Sequence, residues 1–138
     1  MNVPVVEKRF EYKGFPCVVL FTELGFRNGY VGVPKGHRYY GAKYDCIPVS
    51  CHGGLTYSYD HLHHQTDVGV WWIGFDCGHF FDGFDLEKLE EYFPNNIENQ
   101  VLFDYHRVMT ETYGFRTLEY VEEQCKGIVD QLLRASEE

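Results

Sequence analysis

Asp76, Cys77, His79 and Asp82 stand within seven positions of one another. All four are side chains that ligate metals or move protons. Directly before them runs Trp71-Trp72-Ile73-Gly74-Phe75, an apolar stretch suited only to a core. A buried strand that delivers ligand-type groups at its end holds an ion or a reacting group rigidly. A second segment, Cys51-His52-Gly53-Gly54, sets an imidazole beside two glycines, where the backbone can come close to whatever is bound.

Two ligand sets follow from the two paths open to the chain after Phe75. If it turns helically, Asp76, His79 and Asp82, spaced by three, share one side. Joined by His52, they form a four-coordinate shell of nitrogen and oxygen suited to zinc. If the chain stays extended, Cys77 and His79 share a side and Asp76 faces away, so a thiolate replaces one carboxylate. The sequence leaves both sets open. The plainer alternative makes Asp76 a turn cap, Cys77 a small core residue and His79 an interior hydrogen-bonding group. With a free coordination position the same residues would serve a metal-dependent hydrolase, with Asp76 or Asp82 as base. Cys77 and His52 could also form a nucleophile pair. No phosphate-binding glycine loop, HExxH motif or arginine cluster accompanies either scheme. A closed, structural metal is therefore the preferred reading. His61, His63 and His64 lie in a polar stretch that reads as a solvated loop.

Positioning these groups requires a sheet. Val5 to Tyr12 alternates and is rich in β-formers, Lys13-Gly14 turns the chain, and Phe15 to Thr22 reads as a buried strand. Glu23-Leu24-Gly25 turns again into a third strand, Phe26 to Val33, with a bulge or hairpin expected at Asn28-Gly29. Connections this short make the meander antiparallel. Pro34 to Pro48 reads as a long loop with aromatic anchors, and Val49 to Tyr59 as a strand bent at Gly53-Gly54. Val68 to Phe75 is the expected central strand, its two tryptophans on opposite faces. Asp85 can cap a short helix carrying Leu86, Leu89, Tyr92 and Phe93, stopped by Pro94. Val101, Tyr105, Val108 and Met109 suggest a second helix. Thr117 caps a third, with Leu118, Val121, Cys125, Ile128 and Leu132 on one face. The expected fold is one α+β domain over residues 1–138: an antiparallel sheet of about five strands, then two or three helices in the C-terminal third.

A chain of 138 residues, 44% hydrophobic and 17% aromatic, can bury one core. No apolar run approaches the roughly 20 residues of a membrane span. The N-terminus carries neither the basic segment nor the apolar stretch of a signal peptide, so a cytoplasmic location is expected. Five irregularly spaced cysteines fit free thiols better than a disulfide framework. The net charge of -9 sits almost wholly after residue 84, with 13 acidic and 5 basic residues against 8 and 7 before it. Phosphate backbones repel such a surface, which disfavours direct nucleic-acid binding and favours a basic protein as partner.

Three segments carry a resemblance: His52-Gly53-Gly54-Leu55-Thr56-Tyr57-Ser58; Trp71 through His79 with Asp82; and Leu118-Glu119-Tyr120-Val121-Glu122-Glu123. They resemble a family of small phage- and prophage-encoded proteins, over roughly Gly14 to Leu132. The chain is also similar to zinc-binding anti-CRISPR proteins that inhibit type II-A effector nucleases. The resemblance implies a zinc ion held by His52, Asp76 or Cys77, His79 and Asp82. It also implies an acidic surface that docks on a basic lobe of a type II CRISPR effector nuclease in the infected host's cytoplasm and interferes with target DNA. The His61-Leu62-His63-His64 run is not part of that pattern. The leading expectation is thus a non-enzymatic inhibitor; the alternative is a metal-dependent hydrolase of a nucleotide or nucleotide-derived immune signal.

Overall fold

Strands β1 (Val5–Tyr12), β2 (Phe15–Phe21) and β3 (Arg27–Pro34) form the expected meander, each antiparallel to the next. With β4 (Tyr57–Tyr59) and β5 (Val70–Asp76) they make one five-stranded sheet in the order β1-β2-β3-β5-β4. Three α-helices follow, α1 (Leu86–Tyr92), α2 (Gln100–Tyr113) and α3 (Leu118–Ser136), giving an α+β fold. This computed structural model describes residues 3–63, 65, 67, 69–97 and 100–136. Among them no helix is long and apolar enough to cross a membrane.

Two strand expectations are corrected. The middle of the sheet is β3, while the tryptophan strand β5 lies between it and the three-residue edge strand β4. The stretch 49–56 does not pair as a strand. Gly53 and Gly54 adopt φ of +68° and +84°, and the Gly54 N–H closes a turn onto the Cys51 carbonyl at 3.0 Å. Two successive left-handed residues cannot continue an extended ladder. His52 therefore sits on a tight turn.

Asn28-Gly29 is a regular part of β3, in unbroken register with β2 and β5. Gly29 is required for packing: a Cβ there would lie 2.9 Å from Cys125 Sγ and against the Phe75 ring. That bare backbone lets α3 lie close on the sheet. Val121, Cys125, Ile128, Val129 and Leu132 of α3 are fully buried on Cys17, Val19, Val31, Ile73 and Phe75. Each buried aliphatic side chain contributes on the order of 1.5–3 kcal/mol. On the opposite face Val18, Leu20, Tyr30 and Trp72 are covered by Leu62. Arg9 pins the overlying loop through a bidentate bond to Asp67 at 2.6 and 2.7 Å. Trp71 turns to the α3 side and donates from Nε1 to the Ala42 carbonyl at 2.8 Å, anchoring the long loop after β3.

The bulge lies in β1, where the register slips between Val6 and Lys8. It leaves Glu7 buried beside Arg27, whose Nε donates to Glu7 Oε1 at 2.6 Å. The same guanidinium reaches Asp85 Oδ2 at 2.9 Å and the Arg116 carbonyl at 3.1 Å. Burial alone would lower the Arg27 pKa, but its bonds to the two carboxylates outweigh that and raise it. Asp85 also caps α1, accepting from the Lys88 N–H at 3.2 Å.

Helix α2 forms as expected, but Tyr105 and Val108 face solvent. It is held instead through Thr110, whose hydroxyl accepts from the Phe84 N–H at 2.8 Å and shares its one proton between the His106 carbonyl at 2.8 Å and the Phe84 carbonyl at 3.0 Å. His106 stacks on the Phe84 ring at 4.1 Å. These contacts fix the segment that follows Asp82.

Candidate metal centre

Chain direction changes at the end of β5. The Cys77 N–H still pairs with the Arg27 carbonyl at 3.0 Å, prolonging the ladder by one residue. Asp76 Oδ1 then accepts from the Gly78 N–H at 3.1 Å, and the Asp82 N–H closes a turn onto the His79 carbonyl at 2.9 Å. This local turn sets His79 and Asp82 on the same side, as in the helically spaced ligand set.

Asp82 is the hub. Its side chain is fully buried and accepts from four donors. His52 Nε2 lies 2.9 and 3.0 Å from its two oxygens, and His79 Nδ1 lies 3.1 Å from Oδ2. The His79 N–H reaches Oδ2 at 3.1 Å and Arg116 Nε reaches Oδ1 at 3.0 Å. Burial pushes the Asp82 carboxyl up, but the bonds from His52, Arg116 and His79 outweigh it and hold it below the usual carboxylate range. It is an anion at neutral pH.

The ligand atoms of His52, His79 and Asp82 all lie within 4.8 Å of one another. Two ligands bound at about 2.0–2.1 Å to one tetrahedral ion stand roughly 3.3 Å apart. The separations of 2.9 to 3.1 Å between each imidazole nitrogen and the carboxylate are close to that edge length. The donor set fits zinc and is not exclusive to it, since imidazole and carboxylate also serve other divalent transition ions.

Asp76 and Cys77 stand apart from this group. Asp76 Oδ1 lies 3.9 Å from His79 Nδ1, at the rim, and Oδ2 accepts from the Thr56 hydroxyl at 3.2 Å. Cys77 packs in the main core, and burial pushes its thiol up to about 12. A thiol so placed is not disposed to give the thiolate that metal binding or nucleophilic attack requires. His61 lies beside Asp60 at 3.3 Å and against Tyr59; His64 is outside the described residues. Neither His61 nor His63 joins a metal-ligand group among the described residues.

The supporting residues come from the start of α3. Tyr120 Oη lies 2.9 Å from His52 Nδ1, and Gln124 Oε1 accepts from the His52 N–H at 2.8 Å. Burial raises the Tyr120 pKa and keeps its hydroxyl protonated, with Arg116 opposing. With the Nε2 proton directed at Asp82, Nδ1 accepts from Tyr120. A metal held by Nε2 would require the proton on Nδ1, which would then donate to the tyrosine oxygen. The one hydroxyl serves both states. Reading the sequence locally misses Arg116, Tyr120 and Gln124; the last two, four apart on α3, share one helical line, while Arg116 precedes the helix.

His79 is held by Phe81, stacked at 5.0 Å, and by the Gly53 backbone. A Cβ at Gly53 would fall on the His79 ring, and the φ of +68° already disfavours any other residue. Gly53→Ala should therefore displace His79 and reduce bound metal to well below that of the unaltered protein. Elemental analysis of the two proteins side by side checks this; equal metal content would mean that the turn does not position His79.

No protein-family model, curated protein or solved structure matches the chain.

Proposed function

We propose that the protein is a zinc-stabilised binding protein of phage origin that inhibits a type II CRISPR effector nuclease. The observation that carries this reading is the convergence of His52, His79 and Asp82. These residues lie in the segments through which the chain resembles that family. An ion at this point cross-links the His52 turn to the exit of β5, and Tyr120 and Gln124 tie both to α3. Such a cross-link makes a small fold rigid, which serves binding by lowering the entropy lost on docking.

The partner is basic. Part of the C-terminal acid is neutralised within the chain: Glu122 pairs with Lys8 at 2.7 Å and Asp130 with Lys13 at 2.9 Å. Glu87, Glu90, Glu111 and Glu119 point outward and leave an acidic surface. Docking through such charges weakens with salt. The test is titration of the purified nuclease at low and high ionic strength, with zinc per chain measured on protein made without a histidine tag. About one zinc per chain and a salt-sensitive complex support the reading; no complex at low ionic strength removes it.

A second reading is favoured by one observation: among the described residues three ligands converge, and His79 is part-exposed. Catalytic zinc sites keep a position for water, whereas structural sites close it. A metal here would polarise water, and Asp76 at the rim would take the proton. A metal-dependent hydrolase of a nucleotide or nucleotide-derived signal predicts products from a nucleotide panel that vanish in His79→Ala.

A further inference from the structure

We infer that the metal centre is a receptor for a phosphate group, held jointly by the ion's free position and by Arg116. The inference rests on the metal-binding reading above but on neither choice of biological role. The three protein ligands that converge among the described residues would leave a tetrahedral ion one position short. Around the cluster three groups are part-exposed: His79 is 24% exposed, Asp76 33% and Arg116 32%.

Arg116 is already committed through one nitrogen only. Its Nε donates to Asp82 Oδ1 at 3.0 Å, and its guanidinium lies 5.3 Å from the centre of the Tyr120 ring. The two Nη groups make no hydrogen bond within the described residues, and a planar fork of this kind suits a phosphate edge. Its orientation is fixed from both ends, because the Arg116 carbonyl accepts from buried Arg27 at 3.1 Å.

Charge selects the ligand class. A divalent ion with two neutral imidazoles, the Asp82 carboxylate and the Arg116 guanidinium carries a net charge of +2. Asp76 at the rim offsets half of it. A phosphate monoester or free phosphate supplies enough negative charge to neutralise the remainder, in a protein whose overall charge of -9 otherwise repels anions. The affinity thus depends on the ion: without it, Asp82 absorbs the whole charge of Arg116.

The test is to load the protein with Co2+, whose visible absorption reports the ligands around it, and to titrate it with inorganic phosphate and, separately, adenosine monophosphate. A saturable band shift with cobalt still bound after dialysis supports the proposal. The arm that saturates at lower concentration tells free phosphate from a nucleotide ester. In Arg116→Gln and Arg116→Lys the cobalt should remain, with the anion's apparent affinity reduced about tenfold or more in the glutamine variant. A cobalt band that neither anion moves, anions that merely strip the metal, or equal affinity in wild type and Arg116→Gln overturns the proposal and leaves the metal site standing. Absence of any cobalt band overturns the metal reading and this inference together.

Discussion

Asp82→Asn should remove the bound metal and lower the melting temperature by about 10–15 °C, the equivalent of roughly 3–5 kcal/mol in a domain of this size. The substitution preserves shape and removes charge. Four donors converge on the carboxylate, from His52, His79 twice and Arg116. An amide presents one acceptor oxygen and turns an NH2 group towards donors that have nowhere else to go. Arg116 loses its counter-charge, and an ion loses its only anionic ligand in the group of three. Melting with and without chelator separates the two contributions. The unaltered protein should lose stability on chelation, while Asp82→Asn should start low and not respond. A variant that kept its metal and its melting temperature would show that this carboxylate is not the hub.

Acid should have the same effect by titration. The Asp82 carboxyl is held below its ordinary value in the folded protein. Its contribution is therefore fully present above the unfolded carboxyl pKa of about 3.9 and is lost as pH falls through the lower folded value. Unfolding midpoints from about pH 5 down to about pH 2 should show a fall in the unaltered protein that is shallower in Asp82→Asn.

Arg27→Met should cost about 3–5 kcal/mol, because it strands two buried carboxylates. Glu7 and the guanidinium are each only 4% exposed at the side chain, and Asp85 is 9% exposed. The companion experiment separates charge from packing. Adding Glu7→Gln and Asp85→Asn to Arg27→Met removes the stranded charges, and asparagine still caps α1. The triple variant should recover most of the lost stability, since replacing a whole buried ion cluster is often close to neutral. Denaturant midpoints measure both. If the single variant is no less stable than the parent, or the triple no better than the single, the cluster is not held by charge balance.

The sheet and the last helix are legible because their side chains obey a simple period. Val5 to Phe21 alternates or runs apolar between turns, and Val121, Cys125, Ile128 and Leu132 recur at helical spacing. Periodicity fails where a single distant contact decides. Gly53 bends the chain because His79, 26 positions later, occupies the space a side chain would need. Glu7 is polar and reads as solvent-facing, yet a bulge turns it towards Arg27. Tyr105 and Val108 carry the helical period without burial, since α2 hangs from Phe84 rather than from the sheet. At the candidate metal centre, His52, His79 and Asp82 stand out from the sequence by residue type. Cys77 belongs to the same run but falls to the core, because residue type gives no sign of which way the strand's last residues face.

The bond from Arg27 to the Arg116 carbonyl joins two buried polar groups into one structure. Glu7 of β1, Arg27 of β3, Asp85 before α1, the His52 turn, the β5 exit and Arg116 before α3 must all be in place before both groups are complete. Joining segments this far apart in sequence carries a large loop-closure cost, which favours closure after the strands have paired. An ion bound there would be a bolt shot on a finished door, delaying opening far more than it hastened closing.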